Sequence, residues 1–216
     1  MGDRPTIASS EVVRLFPTFA WKAQLARETY EPINADILRA VAELTRDRPI
    51  TARGEVWQSR HDLHERPAFS GLMDVVSAAV TDVLGFLKIG YDAVRVTGCW
   101  ANVAAPGGWH RMHSHPNNFL SGVYYVQVQE GADTINFHDP RPQTGIIRPP
   151  VTELTAYNTD QVVVKVQTAT LLLFPAWLPH SVSPNESGAT RVSVSFNVMF
   201  SAFAEEVSPP LWGDGR

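Results

Sequence analysis

Three histidines fall within six residues in HRMHSH, His110 to His115, of a chain that has seven in all. Neutral imidazole is the commonest protein ligand for transition metals. His113 and His115 are two apart, so on an extended segment their side chains point the same way and can chelate one ion. A third ligand must come from elsewhere. His180, in LLLFPAWLPHSVSPN, follows an apolar run and a turn bracketed by prolines, which holds a loop residue in place. His110 stands one step further from the pair, in a glycine-containing loop, and His61, His64 and His138 sit in other contexts. The competing reading of the pair is a solvated polar loop ahead of a strand.

A second constellation follows His180. In RVSVSFNVMF, alternation puts Arg191, Ser193, Ser195 and Asn197 on one face and Val192, Val194, Phe196 and Val198 on the other. The apolar face suits packing on helices. The polar face opens with a guanidinium, and a buried guanidinium needs a carboxylate, which it binds through two parallel hydrogen bonds. That carboxylate is either an Asp or Glu of the chain or a bound ligand. In SGVYYVQV, Tyr124 and Tyr125 face opposite ways, so one hydroxyl points inward. It requires an acceptor, either a backbone carbonyl or a bound acid.

The elements that must hold these residues change texture along the chain. The first part reads as helical. Asn34 can cap a helix over ADILRAVAELTRD, with Ile37, Val41 and Leu44 at helical spacing. Pro67 suits a helix start. AFSGLMDVVSAAVTDVLGFLK then carries Phe69, Leu72, Met73, Val76, Val80, Val83 and Leu87 on a broad apolar face, with Gly90 as its stop. From about Val94 short strands take over: VRVTGCWANV, LSGVYYVQV, TINFHD, VVVKV, ATLLLF and RVSVSFNVMF, with Val12 to Phe16 as an early addition. RPQTGIIRPPVTELTAYNTD, residues 141–160, is a long insert of the kind that forms lids or binding loops. Helices first and strands after predict a mainly β protein, a sandwich or barrel of jelly-roll type.

The bulk numbers bound the rest. A length of 216 residues fits one domain with a sizeable core. A net charge of -4 supplies no basic footprint for nucleic acid and no polybasic arm for a membrane. The single cysteine, Cys99, excludes an intrachain disulfide and a multi-cysteine zinc site. MGDRPTIASS lacks the apolar stretch of a signal peptide, and no long uninterrupted apolar run reads as a membrane span, so a reduced, cytoplasmic location is expected. A homodimer through an edge strand or the N-terminal helices is compatible with the sequence.

HSHPNNFLSGVYYV, NFHDPR, FPAWLPHSVSPN and RVSVSFN resemble a family of bacterial and phage 2-oxoglutarate- and Fe(II)-dependent oxygenases, and VVRLFPTFAW and VWQS extend the likeness toward the N-terminus. The core is also similar to the prolyl hydroxylase branch, in which His-x-Asp precedes a strand ending in paired tyrosines. The resemblance implies one domain over residues 1–216: N-terminal helices over about 1–92, packed on one sheet of a double-stranded β-helix (a cupin-like jelly roll) over about 93–203. It implies Fe(II) as metal and 2-oxoglutarate as cosubstrate, with hydroxylation of a substrate and release of succinate and carbon dioxide. Carried over, His113 matches the first metal ligand and His180 the distal one. Arg191 matches the group that grips the far carboxylate of 2-oxoglutarate, and Tyr125 a donor to it. Ser193 is placed to assist, and Asn102 is an inward polar residue near the cosubstrate.

The chain departs from the family in one place. The usual triad is two histidines and a carboxylate, and here the carboxylate position is His115. A three-histidine site is the favoured reading, with Asp139 of NFHDPR as runner-up carboxylate. Three histidines also suit a cupin-like metal-dependent oxygenase that does not use 2-oxoglutarate, and a non-catalytic jelly-roll binding module is a further alternative. Trp57, Gln58, Arg60, Trp109 and the 141–160 insert are candidates for the substrate mouth.

Overall fold

The computed structural model describes residues 7–90, 93–142, 146–147 and 149–201. Among these, the elements run β1 (Trp21–Gln24), α1 (Arg27–Leu44), β2 (Val56–Gln58), α2 (Ser70–Phe86), β3 (Val94–Ala104), β4 (His110–His113), β5 (Leu120–Gln127), β6 (Thr134–His138), β7 (Gln161–Lys165), β8 (Thr170–Pro175), β9 (His180–Val182) and β10 (Arg191–Phe200). The fold is mainly β, as expected. The strands make a six-stranded sheet in the order β1-β8-β5-β10-β3-β2 and a four-stranded sheet in the order β4-β9-β6-β7, every named pair antiparallel.

Period-two alternation sorts the large sheet into two apolar layers. Tyr124, Val126, Leu171, Leu173, Val192, Val194, Phe196 and Val198 face the helices and pack with Ile37, Val41, Leu72, Val76, Val80 and Val83. Val123, Tyr125, Leu172 and Phe174 face the small sheet and pack with Ile135, Phe137 and Leu178. Gly122 is needed at the crossing of β5 with its neighbours. A Cβ there would run into the Phe196 ring and lie 2.8 Å from the Leu172 carbonyl oxygen.

The structure shifts several expected boundaries. Val12 to Phe16 is not a strand; the first strand starts at Trp21 and pairs with β8. Helix α1 starts at Arg27, a full two turns before Asn34. Asn34 is not its cap but a buried mid-helix residue. Its Nδ2 donates to the Val126 carbonyl at 2.9 Å, and its Oδ1 accepts from the Tyr124 hydroxyl at 2.7 Å. This tertiary pairing, which pins the helix to β5, overrides the usual preference of asparagine for helix ends. Pro67 opens a short 3₁₀ turn, Pro67–Phe69, that leads into α2. The stop of α2 is Lys88, not Gly90. Lys88 adopts φ 56°, its N–H bonds the Gly85 carbonyl at 3.2 Å, and the Ile89 N–H bonds the Leu84 carbonyl at 3.0 Å. Those two bonds form a Schellman cap.

The stretch Pro67–Phe86 is long and apolar enough to cross a membrane by length and composition. Its buried residues Leu72, Val76, Val80, Val83 and Leu84 lie in the core shared with the large sheet, so one face of the helix packs on that sheet. Within the 141–160 insert, residues 143–145 and 148 lie outside the described residues, and Ile146, Ile147, Leu154 and Tyr157 are exposed.

Candidate metal and anion site

The two sheets open onto a small cavity lined by residues of both. His113, His115 and His180 line one end, and one ring nitrogen from each lies within 4.8 Å of the others. His113 ends β4 and faces His180 of β9 in register, with ring centroids 4.4 Å apart. His115 is in the loop after β4. Its N–H bonds the Ala176 carbonyl at 2.8 Å, and the Ala176 N–H bonds the Phe119 carbonyl at 3.0 Å, so the loop is tied to the segment that carries His180.

The ring orientations are set by the backbone. His113 Nδ1 lies 2.7 Å from the Arg111 carbonyl, and His180 Nδ1 lies 2.9 Å from the Leu178 carbonyl. A carbonyl can only accept, so each Nδ1 carries the proton and each Nε2 keeps its lone pair. His180 Nε2 points at His115 Nε2 across 3.3 Å. Cis ligands on one ion, each at about 2.1 Å, stand roughly 3.0–3.4 Å apart. The donor set and spacing therefore fit a divalent transition metal. Burial, reinforced by the neighbouring His180 and His113, pushes the His115 pKa down to about 3. Burial pushes His180 down to about 4. Both are neutral near pH 7, the form a metal requires.

The large sheet supplies the other end. Tyr125, Ser193, Asn102 and Gln58 stand in one register row across β5, β10, β3 and β2, and all four line the cavity. Gln58 Nε2 donates to Asn102 Oδ1 at 2.7 Å, and Asn102 Nδ2 donates to Ser195 Oγ at 3.0 Å. Asn102 thus sits at the cavity with both ends of its amide held by protein. No protein partner is seen for the Tyr125 hydroxyl or Ser193 Oγ among the described residues.

Arg191 is 3% exposed. Among the described residues it forms no ion pair, and no Asp or Glu lines the cavity. Its closest hydrogen-bond partner is the Ala132 carbonyl, 3.5 Å from Nη1. Burial holds its pKa below the usual value. A buried guanidinium in this state keeps donor capacity that a carboxylate could satisfy.

Asp139 is not brought to the cluster. Arg141 clamps its carboxylate, with Nη2 to Oδ2 at 2.6 Å and Nε to Oδ1 at 2.9 Å, and holds its pKa low. Of the expected mouth residues, Gln58 lines the cavity. Trp57 packs against the helix-side core, Arg60 is exposed beside Asp62, and Trp109 is half exposed with Arg111 over its ring at 5.8 Å. The sequence alone does not assign Trp100 to the site, and it marks His110 only as one step beyond the chelating pair. Trp100 lies between His61, stacked on it at 4.4 Å, and His115, at 5.7 Å. His110 lines the same cavity as the histidine cluster and Arg191.

The model of a family described as "Putative 2OG-Fe(II) oxygenase" matches residues 98–197, which span most of both sheets. None of the curated proteins matches the sequence. The solved structures that resemble the chain include the non-heme α-ketoglutarate-dependent epimerase SnoN from nogalamycin biosynthesis, at 14% identity and TM-score 0.60, over 85% of this chain and 79% of that one. HygX from Streptomyces hygroscopicus, solved with nickel and 2-oxoglutarate, matches at 13% identity and TM-score 0.58, over 85% and 83%. A prolyl-4-hydroxylase from Pseudomonas putida matches at 15% identity and TM-score 0.56, over 85% and 93%. At this identity the likenesses establish the shared fold.

Proposed function

From the premise that residues 98–197 are a 2OG-Fe(II) oxygenase domain, we propose that the chain is an Fe(II)- and 2-oxoglutarate-dependent dioxygenase that hydroxylates its substrate. The observation that carries this reading is Arg191, a buried cation without a carboxylate partner among the described residues, in the same cavity as three convergent histidines. The helices and the large sheet share one core, which supports treating residues 1–216 as one domain. The single cysteine, buried at Cys99, is in keeping with a cytoplasmic location.

His113, His115 and His180 would hold the metal, and the carbonyls of Arg111 and Leu178 fix the outward Nδ1 of two of them. When bound, the metal and cosubstrate would supply the four-electron reduction of dioxygen, one oxygen atom going into succinate as 2-oxoglutarate loses carbon dioxide and the other into a substrate C–H bond. The chain's own residues bind and orient. Arg191 would receive the far carboxylate of 2-oxoglutarate in its fork, Tyr125 would donate a hydrogen bond from its hydroxyl to the same group, and Ser193 lies in the same row. Val123, Ile135 and Phe174 would exclude water from the cosubstrate's methylene stem. Gln58, held by Asn102, would present a fixed amide to the substrate side.

This chemistry needs no protein nucleophile or general base. A metal centre that did not use 2-oxoglutarate would leave Arg191 buried without purpose, which favours the oxygenase over the cupin-like reading. The test is anaerobic titration of Fe(II)-loaded protein with 2-oxoglutarate, followed by visible absorption. A metal-to-ligand band that is lost in Arg191→Ala and in His180→Ala is expected. Bound metal with no band overturns the reading.

A further inference from the structure

His110 and His113 are three apart on β4, a spacing that in a regular strand sends side chains to opposite faces. Here both line the cavity. The cause is a break in register: His110 pairs with Val182 and His113 with His180, so three steps on β4 match two on β9. The extra residue is a β-bulge. Bulges re-aim side chains, and they recur next to functional sites. This one turns His110 inward beside the metal cluster.

The surroundings of His110 say what it is turned toward. It lines the same cavity as Arg191 and His113, and the charge of each bears on its ring. No protein group pairs with either of its ring nitrogens among the described residues. Arg191, Tyr125, Ser193 and Ser195 are other cavity groups with donor capacity unspent, and no acidic side chain lines the wall. A ring N–H in this position finds its acceptor in whatever anion the guanidinium holds.

We propose that His110 is a positioning residue for the cosubstrate, donating a hydrogen bond to the carboxylate that Arg191 receives, so that the anion cradle consists of Arg191, Tyr125, Ser193 and His110. This rests on the 2-oxoglutarate reading above and assigns within it a residue that is not a metal ligand.

Calorimetric titrations of Mn(II)-loaded protein under nitrogen test it, with 2-oxoglutarate and pyruvate as probes. Pyruvate offers the same 2-oxo acid to the metal but lacks the far carboxylate. In His110→Ala the Kd for 2-oxoglutarate should rise about 10-fold or more. The Kd for Mn(II) and for pyruvate should stay within about 2-fold, and His110→Gln, which keeps an N–H donor, should recover part of the loss. The unchanged Mn(II) affinity also reports that the variant is folded. Equal 2-oxoglutarate affinity in wild type and His110→Ala overturns the assignment while leaving the oxygenase reading intact. Equal losses for both acids, or a loss of Mn(II), place His110 at the metal end and also overturn it. A wild type that takes up Mn(II) and binds neither acid removes the oxygenase reading itself.

Discussion

Replacing Arg191 by methionine should move stability and cosubstrate binding in opposite directions. The guanidinium is 3% exposed and reaches only the Ala132 carbonyl at 3.5 Å. In the ligand-free protein it is a desolvated charge without a counter-charge among the described residues. Exchanging buried ionic groups for apolar ones of similar volume is commonly neutral or stabilising by about 1–4 kcal/mol. Methionine roughly conserves the volume, so apo Arg191→Met should unfold at higher denaturant with an unchanged m-value, up to that margin. The cost appears on binding. A fork that binds a carboxylate through two charge-assisted bonds in a dry cavity contributes about 3–5 kcal/mol, so 2-oxoglutarate should bind roughly 100- to several-thousand-fold more weakly. Arg191→Lys keeps the charge, loses the planar fork and should fall between. Equilibrium unfolding of the metal-free variants, paired with calorimetry on the metal-loaded ones, reads both quantities. An Arg191→Met protein that is less stable as apo protein and binds 2-oxoglutarate as the wild type does would refute the argument. Arg191 would then be a structural group already satisfied by the protein.

The adjacent tyrosines should separate in the same way. Tyr124→Phe strands Asn34 Oδ1 and should cost about 1–3 kcal/mol of stability with cosubstrate binding unchanged. Tyr125→Phe should leave stability nearly unchanged and weaken 2-oxoglutarate about 10-fold, both read by the assays above. A divalent metal at 100 times its Kd should raise the unfolding free energy by about 2.7 kcal/mol, and His180→Ala should abolish that increment in a thermal melt. The metal-free protein should lose stability in acid. Burial holds His115 at about 3, and His180 and His110 at about 4, below the ordinary histidine value. From pH 6.5 downward the unfolded chain therefore takes up protons that the folded chain refuses. Stability should be fully present above about pH 6.5 and fall toward pH 4, by up to about 1.4 kcal/mol per pH unit for each group, as denaturant midpoints across that range will show.

The parts of the site that could be read from sequence are those where one strand carries two chemistries. In β10 the alternation of Arg191, Ser193 and Ser195 with Val192, Val194 and Phe196 names both faces at once, because helices cover one and a polar cavity the other. Tyr124 and Tyr125 report the same division on β5. The small sheet gave no such signal: β9 has three residues and β4 four, too few for a period to repeat. The bulge in β4 defeats the period altogether, so counting by twos selects His113 and His115 and passes over His110. Asn34 misled for a related reason. Its local preference is to end a helix, and its actual partners, Val126 and Tyr124, are about ninety residues away. The decisive fact about Arg191 is also non-local. The chain has 22 Asp and Glu, any of which could have met a buried guanidinium. Only the fold reveals that none of those described lines its cavity. A sequence can propose an ion pair from one partner, but the absence of the other is a property of the whole arrangement, and that absence is what supports reading Arg191 as a receptor.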